Sequence, residues 1–225
     1  MKFQRTEILI GKEGVNNLSK SKVAIIGLGG VGGYTAMTLV RAGIENFILV
    51  DFDTIDITNI NRQIIANEKT VGLYKTDVCK SMMLDINSKC NITTYCEKIS
   101  KDNVNEILKD VDICVDAIDM VTNKIELIEY CKHNDIEIIS ACGAGNRYDY
   151  PNFYVTDIYK TAGDGLAKIL RKKLKEKRIK SLKVVISSSL PVKINSKEIG
   201  SISYYPAVCG CVVSSYVVNY LINKN

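Results

Sequence analysis

Between residues 22 and 142 the chain alternates short apolar runs with segments of helical period. Residues 22–27, Lys-Val-Ala-Ile-Ile-Gly, are apolar, β-branched and closed by glycine, which predicts a strand buried on both faces. Residues 31–42 carry apolar positions at helical spacing, and Gly43 stops them. Residues 47–51 predict a second strand ending on an acidic residue, and 54–72 a loop with one helical turn. The alternation continues with a helix at 75–86, a strand at 92–99, a short helix at 104–108, a strand at 111–117, a helix at 123–131 and a strand at 136–142. Such β–α alternation predicts a right-handed, doubly wound, mostly parallel Rossmann-like α/β sheet.

After Gly143 the period changes. Residues 152–158 alternate as an antiparallel strand does, and 166–178 are helical with Leu166, Leu170 and Leu174 on one face. A strand at 182–187 and a short extended piece at 201–204 follow, and Pro206 is expected to open the last helix. One domain over 1–225 is expected: a nucleotide-binding core at 1–150, then an extension at 151–225 with antiparallel strands and a final helix. Residues 207–222 come closest to a membrane span. They fall short of the roughly 18 residues required and are interrupted by Ser214, Ser215 and Asn219, so they read as a buried amphipathic helix. The start, Met1-Lys2-Phe3-Gln4-Arg5, leads into polar residues rather than the apolar run of a signal peptide, and a cytoplasmic location is expected.

Composition adds exclusions. Eight cysteines contain no Cys-x-x-Cys pair, so no zinc ribbon is expected. Cys114 and Cys142 fall in apolar strands and read as core; Cys209 and Cys211 flank Gly210 and are expected to pack at a helix start. The single histidine, His133, reads as a solvated residue at a helix end, and alone it excludes a histidine-cluster metal site. The net charge of +5 is weak evidence for a nucleic-acid partner.

The candidate chemistry begins at the first strand–helix junction. Gly27, Gly29 and Gly32 have the G-x-G-x-x-G spacing that lets backbone N–H groups and a helix N-terminus approach phosphates, and Gly30 and Gly33 add room. Asp51, at the tip of the second strand, is placed to bond ribose hydroxyls. This much suits NAD and ATP alike. The run Asn59-Ile60-Asn61-Arg62-Gln63 and Lys75 go further, because adenylation builds negative charge on the α-phosphate and departing pyrophosphate. Arg62 offers a planar fork of donors and Lys75 a mobile point charge. Lys75 opens a helix, where a cation is unfavourable; a solvated lysine is the bland alternative. Asp119 stands past the fourth strand at the ligand-binding edge, as a candidate Mg²⁺ ligand or the cap of the following helix.

The set Gly-x-Gly-Gly-x-Gly, Asp51-Phe52-Asp53, Asn-x-Asn-Arg-Gln, Val-Gly-x-x-Lys and Asp-Ala-Ile-Asp resembles the ubiquitin-activating-like adenylyltransferases. The resemblance implies that Asp51 binds ribose, Arg62 and Lys75 the phosphates and Asp119 the Mg²⁺, with Asp53, Asn59, Asn61 and Gln63 in the same nucleotide site. It also implies a homodimer in which Arg5 reaches the partner subunit's ATP. Sulfur-carrier-activating members generally carry two zinc-binding Cys-x-x-Cys pairs, and many a thioester cysteine; here no cysteine lies between Cys142 and Cys209. The branch similar in lacking both is the tRNA threonylcarbamoyladenosine dehydratases. Its pattern is matched by Gly143-Ala144-Gly145-Asn146-Arg147, by 155–161, by Leu166-Ala167 with a basic helix after it, by Lys183-Val184-Val185 and by the close Gly200-Ser201-Ile202-Ser203, Pro206 and Gly210. Asp164-Gly165 before Leu-Ala and Ser187-Ser188-Ser189 after the last strand depart from it.

The segment 168–183 holds Lys168, Arg171, Lys172, Lys173, Lys175, Lys177, Arg178, Lys180 and Lys183 against Glu176 alone. A solvated helix face is the bland reading. So one-signed a stretch favours contact with a phosphate backbone, with Lys168, Arg171, Lys172, Lys175 and Arg178 as candidate tRNA contacts. Of the aromatics before it, one or two are candidates to stack on a base. The resemblance implies ATP-dependent cyclisation of threonylcarbamoyladenosine through an acyl-adenylate. The competing readings are a carrier-protein adenylyltransferase and a non-catalytic NAD- or nucleotide-binding module. A monovalent cation in the glycine- and carbonyl-rich loops and a sulfur-transfer protein are further candidate partners.

Overall fold

The computed structural model describes residues 2–196 and 198–224. Its centre is a seven-stranded sheet in the order β3-β2-β1-β4-β5-β7-β6. The strands are β1 Lys22–Ile26, β2 Asn46–Val50, β3 Asn91–Tyr95, β4 Ile113–Asp116, β5 Glu137–Ala141, β6 Phe153–Asp157 and β7 Lys183–Ser187. All neighbours run parallel except β6 and β7, which pair antiparallel from Phe153↔Ser187 to Asp157↔Lys183. The expected doubly wound sheet is therefore present. Its C-terminal part adds a single antiparallel edge strand, because β7 pairs parallel to β5.

The period of two along β1 distributes its side chains between two cores. Val23 and Ile25 join the layer built by α1 (Gln4–Lys20), α2 (Gly32–Ala42), α3 (Lys75–Ile86) and α7 (Tyr204–Ile222). Ala24 and Ile26 join the layer built by α4 (Val104–Ile107), α5 (Val121–His133) and α6 (Gly165–Glu176). Both faces of the sheet are covered, which is why its strands read as continuous apolar runs. Gly43 ends α2 at φ 113°, a left-handed cap that favours glycine.

Several local features differ from what the sequence predicts. Helix α1 was not legible in the sequence; it is interrupted at Gly11 (φ 75°) and buries only Gly14 and Leu18. The strand expected to reach residue 99 ends at Tyr95. Residues 201–203 form no strand, and α7 begins at Tyr204, so Pro206 is its third residue; lacking an N–H costs nothing there, since the first turn's N–H groups have no intrahelical acceptor. Helix α7 has 19 residues and a mean hydropathy of 1.4, long and apolar enough to cross a membrane. It packs instead against α2, α1 and the sheet, burying Tyr205, Cys209, Val213, Val217 and Leu221 at four-residue spacing. Cys211, on the other side of Gly210, is exposed rather than packed. Gly210 itself lets α7 approach α2: a Cβ there would lie 2.6 Å from the Val31 carbonyl. His133 is the last residue of α5 and is exposed, as expected.

Candidate active site

The carboxyl ends of the central strands open into one cleft of about 860 Å³. Its near wall is the glycine loop after β1. Gly27 has φ 91°, and a Cβ on Gly32 would lie 1.8 Å from the Gly27 carbonyl, so both positions require glycine to close the turn. At Gly29 the nearest atom to such a Cβ is Gln63 Nε2 at 3.9 Å, which leaves the backbone open to the cleft. Gly32→Ala is expected to displace the loop and weaken nucleotide binding roughly tenfold or more. Titration with a fluorescent ATP analogue checks this, and unchanged affinity would contradict it.

Asp51 braces that loop from β2. Its Oδ2 accepts the Leu28 N–H at 2.6 Å and its Oδ1 the Asp53 N–H at 2.9 Å. Burial pushes its carboxyl above the usual range, opposed by Lys75 and by the two N–H donors. Each oxygen retains acceptor capacity for a hydroxyl. Lys75 is not solvated: it is 6% exposed, with Nζ 2.8 Å from Asp53 Oδ2 and 4.0 Å from Asp51 Oδ1. Two carboxylates thus offset its unfavourable place at the start of α3.

The Asn59–Gln63 run folds as a capped turn. Asp56 accepts the Thr58 N–H, and Asn59 Oδ1 accepts the Asp56 N–H at 3.2 Å. Arg62 donates through Nη1 to the Thr58 carbonyl at 2.8 Å and to Asn61 Oδ1 at 2.9 Å. Its other donors have no protein partner among the described residues. Gln63 is buried with Oε1 unpaired, an acceptor beside open cleft. Asn61 Nδ2 in turn holds the Ser201 carbonyl at 3.0 Å.

Asp119 lines the cleft and is exposed. It does not cap α5, whose N-cap is Met120 without a side-chain cap bond. What fixes the Asp119 loop is a pair the sequence reading missed. Lys124, wholly buried on α5, lies 3.0 Å from Asp116 Oδ2 and donates to the Ile118 carbonyl at 3.0 Å. Burial raises the Asp116 carboxyl, with Lys124 the chief opposing influence. Its one trace in the sequence is a lysine in a helix eight residues after a strand-end aspartate.

The far wall comprises Gly143–Asn146, Asp164–Leu166, Ile199 and Ser201. Cys142 is the one cysteine lining the cleft among the described residues, and burial pushes its thiol up to about 12. Since the thiolate is the nucleophile, this cysteine is unsuited to a thioester. No group of three or more His, Cys, Asp or Glu able to hold a metal occurs among the described residues. A lone Asp119 still suits Mg²⁺, which takes one or two carboxylates and completes its shell with phosphate oxygens and water.

Of the predicted residues, Gly32, Asn61, Arg5 and the basic set of α6 do not line the cleft. Arg5 is exposed on α1 and does not line it. On α6 and just beyond, Lys168, Lys172 and Arg178 are exposed. Lys175 is exposed with its ammonium 5.9 Å from the Tyr159 ring centre. Arg171 instead turns inward, donating to the Thr161 carbonyl at 3.0 Å and to the Thr161 hydroxyl. It braces the 161–165 turn, and its donors are partly spent there.

A glycine loop, a buried lysine, a half-buried arginine and a cleft-facing carboxylate at one sheet edge define a nucleotide-binding α/β domain equipped for a polyphosphate. The ThiF family model matches residues 3–225, and the chain belongs to that family. The tRNA threonylcarbamoyladenosine dehydratase of Bacillus subtilis is 36% identical over 235 residues, spanning 96% of this chain and 92% of that protein. The crystal structure of the Escherichia coli tRNA N6-threonylcarbamoyladenosine dehydratase with AMP superposes with a TM-score of 0.94 at 32% identity, covering 99% of this chain and 94% of that one. Its ATP complex superposes at 0.93 and 31% identity over the same shares.

Proposed function

We infer that this chain is an ATP-dependent tRNA threonylcarbamoyladenosine dehydratase. The observation that carries the reading is the near full-length likeness to dehydratases, together with a cleft that pairs phosphate-binding cations with an open far wall. The substrate carboxylate attacks the α-phosphorus of ATP; an O–P bond forms and the bond to pyrophosphate breaks. The ureido group of the same substrate then attacks the acyl carbon, AMP leaves and a proton is released. The balance is substrate plus ATP giving cyclised product, AMP and pyrophosphate, a net loss of water from the nucleoside.

Arg62 and Lys75 meet the charge that grows on the phosphates in the first step. Asp51 orients the ribose, with Asp53 holding Lys75, and Asn59, Asn61 and Gln63 shaping the turn. Mg²⁺ held by Asp119 and phosphate oxygens would add positive charge there. The second step joins groups already within one molecule, so proximity supplies much of its rate and no enzyme nucleophile is needed.

The tRNA lies along α6, whose first residues Gly165 and Leu166 wall the cleft, with Lys168, Lys172, Lys175 and Arg178 meeting its phosphates. Two chains pair through α1, where Ile8 and Leu9 are 76% and 85% exposed beside Arg5, and Arg5 serves the partner's nucleotide. A cytoplasmic location, where tRNA and ATP meet, accompanies this reading. AMP release is the test: it should require tRNA bearing threonylcarbamoyladenosine and be absent with tRNA lacking it. Pyrophosphate exchange evoked by a ubiquitin-like carrier protein instead would replace this reading.

A further inference from the structure

Arg147 is a buried cation with no part in the chemistry above. Four per cent exposed, it reaches three separate segments, two of which form part of the cleft's far wall. Nη1 donates to the carbonyls of Gly143 at 2.8 Å and Gly145 at 3.2 Å, and Nε to the carbonyl of Ser189 at 2.9 Å. Nη2 lies 3.2 Å from Asp164 Oδ2. The other oxygen of Asp164 caps α6 by accepting the Ala167 N–H at 2.8 Å. Asp164 packs so closely on the loop that a Cβ on Gly143 would lie 2.8 Å from its Oδ2.

Asp164, Gly143 and Gly145 all line the cleft opposite the nucleotide half. Without Arg147, the wall facing an incoming carboxylate would present a buried, uncompensated negative charge. Like charges at short range in a low-dielectric site repel strongly. The guanidinium cancels that charge and ties the exits of β5 and β7 to the start of α6 in one geometry. Its planar fork suits several carbonyls and a carboxylate together, as an ammonium does not.

We propose that Arg147 is a positioning residue that makes the far half of the cleft accept an anionic substrate by neutralising Asp164. This rests on the dehydratase reading and adds a residue to it. Arg147→Met is expected to lower kcat/KM for modified tRNA by roughly thirtyfold, chiefly through KM, while ATP affinity stays within about twofold of wild type. The double variant Arg147→Met/Asp164→Asn removes the orphaned charge and keeps a capping side chain, since asparagine caps as well as aspartate. It should regain most of the lost kcat/KM, which a merely structural clamp would not allow. Three results would overturn the proposal: a single variant as active as wild type, a double variant no better than the single, or ATP affinity falling as far as tRNA turnover. A wild-type protein that leaves the modified nucleoside unchanged would instead remove the underlying reading, and this inference with it.

Discussion

Lys75→Met should lower ATP-dependent turnover of modified tRNA about a thousandfold, the upper range for losing one preorganised charge at a developing anion. The size follows from the surroundings. Nζ sits among Asp51 and Asp53, so methionine removes the cation and leaves two carboxylates facing a polyphosphate. Lys75→Arg should restore little, because a planar fork on a longer stem does not reproduce the point charge that Nζ places between Asp51 and Asp53. The rate under single turnover, with enzyme in excess over tRNA, reads the effect without product release. A Lys75→Met rate within tenfold of wild type would show that other groups meet the phosphate charge.

Lys124→Met carries the largest expected cost in stability. Asp116 and Lys124 are both wholly inaccessible, and removing one member of such a pair typically costs roughly 3–5 kcal/mol. For a chain of this length that corresponds to a melting temperature lower by roughly 6–20 °C. Lys124 also holds the Ile118 carbonyl, so the loop that presents Asp119 should loosen and the Mg²⁺ requirement for activity should rise. Adding Asp116→Asn should recover part of the stability, since it removes the unpaired charge. Denaturant unfolding of the single and double variants decides this; equal stability of Lys124→Met and wild type would mean the pair contributes nothing net.

How much of this was legible in the sequence depended on which physical signal each residue carried. The glycine loop, Asp51, Arg62, Lys75 and Asp119 were readable because phosphate approach demands particular residue types at particular spacings, and the cleft gathers all of them. Helix α1 was not, because its apolar residues Ile8 and Leu9 do not meet the core of their own chain. The start of α7 was misplaced because Tyr204 and Tyr205 carry no cap signal, whereas proline does. Lys124 is not singled out by the sequence, and Arg147 appears there only as part of a matched pattern without a role, for a different reason. A charged residue in a helix or loop reads as solvated unless its partner is known, and these partners lie 8 and 17 positions away. Arg171 shows the converse: counted with the basic face, it is half turned inward by Thr161.

In the proposed reaction ATP is spent on removing water from one tRNA nucleoside. Mass spectrometry of nucleosides after incubating threonylcarbamoyladenosine-bearing tRNA with the protein and Mg-ATP tests it most directly, beside Arg62→Ala. An ATP-dependent loss of one water mass from that nucleoside is expected, absent in the variant. An unchanged nucleoside, from protein shown to bind ATP, would contradict it.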